Sequence, residues 1–141
     1  MDSAPLRTLV ETVRREGRGV LATTAPDGAP EAALVGVAVL DDGILIVNAP
    51  SSARKVAHLR REPRAALVIG AGPVRSLQVE GRVQLLEGDD RSALAAAYDA
   101  QFPGSRSLAE GFVVIAIRPE WMRDYDIDRD PRAIETTLIA R

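Results

Sequence analysis

Ser51, Ser52, Arg54 and Lys55 lie together at a predicted helix start, and their chemistry is that of an anion site. The first turn of a helix carries backbone N–H groups with no intrahelical acceptor, and the helix dipole is positive there. With a guanidinium and an ammonium alongside, the stretch suits a phosphate. The competing reading is a solvated basic helix, because most charge runs on short helices simply face water. His58, between Val56 and Leu59, could act as a base or a haem ligand, but its setting reads as a partly exposed or capped histidine. Trp121 and Tyr125 could close over a flat ring, with core or dimer packing as the alternative. Gln78 is a polar residue on the outer face of an amphipathic strand. Asp89-Asp90 and Asp128-Asp130 lack metal-ligand spacing and read as a helix cap and a solvated tail. With no cysteine and one histidine in 141 residues, no metal centre is expected.

The totals narrow the class further. A chain of this length is most simply one domain with an adequate core. A formal charge of −2 and a pI near 5.4 give no global field for nucleic acid, so any anion site must be local. No apolar run reaches the length of a membrane span, and the first residues lack the regions of a signal peptide, which predicts a soluble, cytoplasmic protein.

The elements that must position these residues follow from periodicity and turn chemistry. Leu6, Leu9, Val10 and Val13 predict a helix over 5–16, with Ser3 able to cap and Pro5 in the first turn. Gly19 to Thr24 reads as a strand, and Pro26-Asp27-Gly28 as a hairpin turn. Residues 30–40 are small or apolar, as in one strand passing close beneath something flat, with Gly36 marking the close approach. Asp42-Gly43 turns into a strand at 44–47. A helix then runs to Pro63, which must stop it. Strands follow at 64–69 and 74–86, the latter with Leu77, Val79, Gly81 and Val83 alternating against Gln78, Glu80 and Arg82. Asp89 or Asp90 is expected to cap a helix ending before Pro103. Phe112 to Ile117 is a strand, interrupted at 118–120 and extended again over 121–125. The tail at 128–141 turns apolar from Ile134 and is expected to dock on a neighbour or a partner chain. The pattern predicts a mainly β chain with flanking helices, built as a small antiparallel barrel.

The ordered set Leu21-Ala22-Thr23, Asp27-Gly28-Ala29-Pro30, Asp42-Gly43, Ser52-Ala53-Arg54-Lys55-Val56, Leu59 to Val68 and Gln78 to Val83, continuing through Tyr98 and Pro103 to Arg118-Pro119-Glu120-Trp121, resembles the pyridoxamine 5'-phosphate oxidase-like family of FMN-binding split barrels. The resemblance covers residues 18–127. It implies a split β-barrel domain, a homodimer with cofactor sites between protomers, and FMN as cofactor. It also implies a flavin-dependent oxidoreductase acting on a small-molecule substrate or electron donor. Two alternatives accompany it: a reductase using a deazaflavin coenzyme, and a non-catalytic module holding flavin or haem.

By position, the resemblance implies that Arg54 and Lys55 grip the FMN phosphate, with Ser51 and Ser52 assisting. It runs the backbone of Ala33-Leu34-Val35-Gly36 along the isoalloxazine ring and brings Gln78 to the flavin. Asn48, Ala49, Trp121 and Tyr125 complete the candidate site. The chain departs from the family pattern at Ala33, Ala38, Ala49 and Ala53, and it lacks the C-terminal arginine and histidine of the true oxidases. Those departures argue against pyridoxamine phosphate as substrate. No side chain is assigned as a catalytic acid or base.

Overall fold

The computed structural model describes residues 3–70 and 72–138. Helix α1 (Ala4–Glu16) begins where the Ser3 hydroxyl accepts the Leu6 N–H at 3.2 Å and ends at Gly17, whose φ of 72° suits a residue without Cβ. Its inner face buries Leu9 and Val13 completely, worth roughly 1.5–3 kcal/mol for each side chain. There follow β1 (Arg18–Thr24), β2 (Pro30–Gly36), β3 (Ala38–Val39), β4 (Leu45–Pro50), α2 (Arg54–Arg61), β5 (Arg64–Gly70) and β6 (Arg75–Leu86). A turn of 3-10 helix (Gly88–Arg91), α3 (Ser92–Gln101), β7 (Phe112–Asp126) and β8 (Ala133–Thr137) complete the chain.

Every strand pairing is antiparallel, in the order β2-β1-β5-β6-β7-β4-β3, with β8 added to β7. The strand predicted over 30–40 is broken at Val37, whose N–H turns to the Gly17 carbonyl at 3.0 Å. Its first piece, β2, pairs with β1, and its second, β3, pairs with β4. One stretch thus serves both ends of the strand order, and the sheet curls on itself as a split barrel. Leu21, Leu45, Leu67, Ile69, Leu77 and Ile115 fill the interior, closed by α1 and by Val56 and Leu59 of α2. A second cluster of Ala38, Ile46, Ala95, Tyr98 and Val114 lies between α3 and the outside of β3-β4-β7.

Two expectations are corrected, while the tail docks on a neighbouring strand, one of the two alternatives expected of it. The interruption at 118–120 is absent: β7 runs through Pro119, because a bulge opposite Glu80 and Gly81 takes up Glu120 as an extra residue. Gly81 permits that bulge, since a Cβ there would collide with the Arg118 carbonyl. Neither Asp89 nor Asp90 caps α3; both lie in the 3-10 turn, and Arg91 occupies the N-cap without a side-chain cap bond. The tail pairs with β7 of its own chain and sends Leu138 into the same core, while Ile139 falls outside the described residues. Among the described residues, no helix is long and apolar enough to cross a membrane.

Candidate functional site: a basic helix start and an uncovered sheet face

The basic run at 54–64 divides sharply. Arg60 pairs with Glu87 at 3.0 Å, Arg61 donates to the Thr24 and Ala25 carbonyls at 3.0 and 2.8 Å, and Arg64 is taken by Glu62. Arg54 and Lys55 have no hydrogen-bond or ion-pair partner among the described residues. The N-cap of α2 is Ala53, which makes no side-chain cap bond. An alanine side chain has no acceptor to offer; the Val56 N–H reaches the Ala53 carbonyl at 3.0 Å, and the N–H groups of Arg54 and Lys55 are left open for an external anion. Ser51 and Ser52 form the exposed turn just before, with the Ser51 N–H donating to the Gly111 carbonyl at 2.7 Å.

Asn48 sits on the α3 side of β4, and its amide donates to Ser107 at 2.9 Å and Ser105 at 3.5 Å. The segment 105–112 that carries those serines is held by Arg91, a guanidinium only 8% exposed. Arg91 donates to the carbonyls of Gly88, Ser107, Leu108, Ala109 and Phe112. Through Gly111 this clamped loop supports Ser51, so Arg91 acts on the helix start from a distance. In sequence, Arg91 is only one more charge beside two aspartates.

The predicted strip 33–36 divides by side-chain direction. Ala33 stands opposite Leu21, and Val35 packs on the main core. Ala49 is likewise a core residue. These three can offer a ligand only their backbone. The close approach at Gly36 is to a protein side chain: a Cβ there would stand 2.7 Å from Tyr98 Oη. Burial, and secondarily the Asp99 charge, raises the Tyr98 hydroxyl above its ordinary value, which keeps it neutral.

Leu34, Gln78, Trp121 and Tyr125 share the other side of the sheet, with Leu34 three strands away from Gln78. Leu34 faces Val20, Val20 faces Val68, Val68 faces Gln78, and Gln78 faces Arg123, forming one row across five strands. Trp121 and Tyr125 flank that row opposite Glu80 and Ser76. Arg123 lies 5.2 Å from the centre of the Tyr125 ring and was not singled out by the sequence. At the apolar end Leu34 is 68%, Val68 44% and Val20 41% exposed, and no helix covers them. A depression of about 430 Å3 lies over these three, rimmed by Glu16 and Arg18. Of the predicted residues, the structure thus places Ser51, Ser52, Arg54 and Lys55 at the α2 start and Leu34, Gln78, Trp121 and Tyr125 along the outer row. Ala33, Val35, Gly36, Asn48 and Ala49 belong to neither group.

His58 takes the capped one of its two expected states. It is 6% exposed, with Nδ1 3.1 Å from Thr23 Oγ1 and 2.7 Å from Glu31 Oε2. At the far end of the sheet, Asp124 receives Arg75 at 2.9 Å and Arg129 at 3.3 Å. Burial alone would raise the Asp124 carboxyl, but the hydrogen bonds and charges of the two arginines outweigh it and hold it below the ordinary value. No group of three metal-ligating side chains occurs among the described residues.

The family model for pyridoxamine 5'-phosphate oxidase matches residues 6–126. Among solved structures, a haem binding protein from Mycobacterium smegmatis aligns at TM-score 0.77 and 21% identity, covering 97% of this chain and 60% of that one. This chain thus spans less than two thirds of that relative. A pyridoxamine 5'-phosphate oxidase-related, FMN binding protein from Nostoc punctiforme aligns at TM-score 0.71 and 14% identity, covering 99% and 100%. An F420 reductase aligns at TM-score 0.64 and 25% identity, covering 79% and 93%. No curated protein matches the chain. With the matched segment running from the first helix through β7, and with the same curled antiparallel sheet in each of these structures, the chain belongs to the pyridoxamine 5'-phosphate oxidase family.

Proposed function

We propose that the protein is a homodimeric, FMN-dependent oxidoreductase. The observation that carries this reading is the division of the basic run: three arginines are satisfied internally, while Arg54 and Lys55 stand free at an uncapped helix start. That arrangement fits the phosphate of a flavin mononucleotide, with Ser51 and Ser52 as additional donors. Leu34, Gln78, Trp121 and Tyr125 would hold the ring. They project from the outer face of the sheet, away from the core that α2 closes, so in a dimer the two groups would come from different protomers.

A flavin bound there supplies hydride transfer. The protein's own part is binding, orientation and exclusion of water. The exposed Leu34, Val20 and Val68 would exclude water once a second protomer covers them. Gln78 offers an amide donor and acceptor to a polar ring edge.

Titration of the apo protein with FMN tests the reading: a yellow complex that is bleached by a reduced nicotinamide supports it, and no uptake overturns it. The likeness to an F420 reductase favours a second reading, a deazaflavin coenzyme at the same grip. Parallel titrations separate the two, since tight deazaflavin binding without FMN uptake reverses the ranking. A haem module has less support, because the one histidine is buried against Thr23 and Glu31.

A further inference from the structure

Thr23 on β1 and Glu31 on β2 stand directly opposite each other, and both address the same nitrogen of His58 on α2. An oxygen 2.7 Å from Nδ1 is tolerable only if a hydrogen lies between the two atoms, because two lone pairs would repel. Glu31 Oε2 is shut off from solvent and receives no aligned hydrogen bond, so His58 is the group that faces its charge. Lys55 lies three residues before His58, on the same side of the helix. On the adjoining face α2 is held by Val56 and Leu59, whose apolar contacts lack the directionality of a hydrogen bond.

We propose that His58 is the positioning residue of the anion grip. Held between Thr23 and Glu31, it fixes the roll of α2 about its axis and so aims Lys55 and the open first-turn N–H groups. It also faces the buried Glu31 oxygen, which without it would look onto an apolar side chain. The inference rests on the reading of α2 as a phosphate grip, and it deepens that reading by adding a residue that never touches the ligand.

The test compares FMN with riboflavin, which has the same ring and no phosphate, by flavin fluorescence quenching; inorganic phosphate, read by thermal shift, reports the grip without any ring. His58→Leu is expected to lower FMN affinity about tenfold while leaving riboflavin affinity unchanged. His58→Asn, whose amide nitrogen reaches the place of Nδ1, is expected to retain FMN affinity. Adding Glu31→Gln to His58→Leu is expected to restore part of the loss by removing the uncompensated charge. His58→Gln, with its amide one bond further out, carries the same comparison if the leucine variant does not fold. Unchanged FMN affinity in His58→Leu, or equal loss of FMN and riboflavin, overturns the role of His58 alone. Wild-type protein that responds to neither FMN nor phosphate overturns the grip itself and the His58 role with it.

Discussion

Leu34 stands directly opposite Val20 across β1 and β2, and both point outward with much of their surface exposed. A pair of facing aliphatic side chains on the outer face of a sheet that no helix covers among the described residues is the kind of surface that a partner covers. Sedimentation or light scattering is expected to show a dimer, and Leu34→Lys a monomer. The melting temperature of the isolated fold should change little, because the side chain contributes no core contact. A wild-type monomer would remove the argument for a site shared between protomers.

Lys55 carries the second prediction. A charge-assisted contact to a phosphate is worth roughly 1.5–3 kcal/mol, so Lys55→Ala should weaken cofactor binding about tenfold to a hundredfold. Thermal unfolding of the apo variant should match wild type, since the ammonium has no partner to lose. Unchanged affinity would reduce the helix to a solvated face.

Arg91 carries the third. Its removal leaves five backbone carbonyls to find other donors, and Arg91→Ala is expected to cost about 3 kcal/mol in urea denaturation. Arg91→Lys should rescue little, because a single ammonium cannot reproduce the guanidinium fork. Limited proteolysis should cut first within 105–112, and cofactor affinity should fall with it through the Gly111–Ser51 contact.

Much of this fold could be read from local chemistry. The two hairpin turns appear as expected, with Asp27 accepting the Ala29 N–H at 3.0 Å and Asp42 the Ile44 N–H at 3.1 Å. The alternation over 74–86 is the longest run of inward and outward residues, and it becomes β6. What escaped depends on partners distant in sequence. Pro119 looks like a breaker until Gly81, nearly forty positions earlier, is found making room for the bulge. The partners that cap His58, Thr23 and Glu31, lie on distant strands, and Gly36 looks like a seat for a flat ring until Tyr98 takes the space. The basic run shows no internal division, because the acceptors of Arg61 are main-chain carbonyls.

Asp124 supplies the prediction on acidity. Its folded pKa is held below the ordinary 3.8, so its stabilising contribution is complete above that value and is lost as pH falls through the folded value. Asp124→Asn should therefore destabilise the protein at neutral pH by about 2 kcal/mol. The gap between wild type and variant should close as pH drops from about 5 to about 2, read by thermal melts across that range. A gap that stays constant with pH would mean the Arg75 and Arg129 contacts do not depend on the charge.

Strand β7 pairs with β6 along nearly its whole length, while its other edge is shared by β4 on the first half and β8 on the second. Its amides are thus engaged on both sides, and they should exchange with deuterium only through global opening. Helix α2 has eight residues and hangs at the barrel's mouth, so its amides should exchange through local opening. The molecule accordingly separates into a slow axle and a fast latch. Ligand binding is expected to slow exchange in the latch and leave the axle's rate set by the fold.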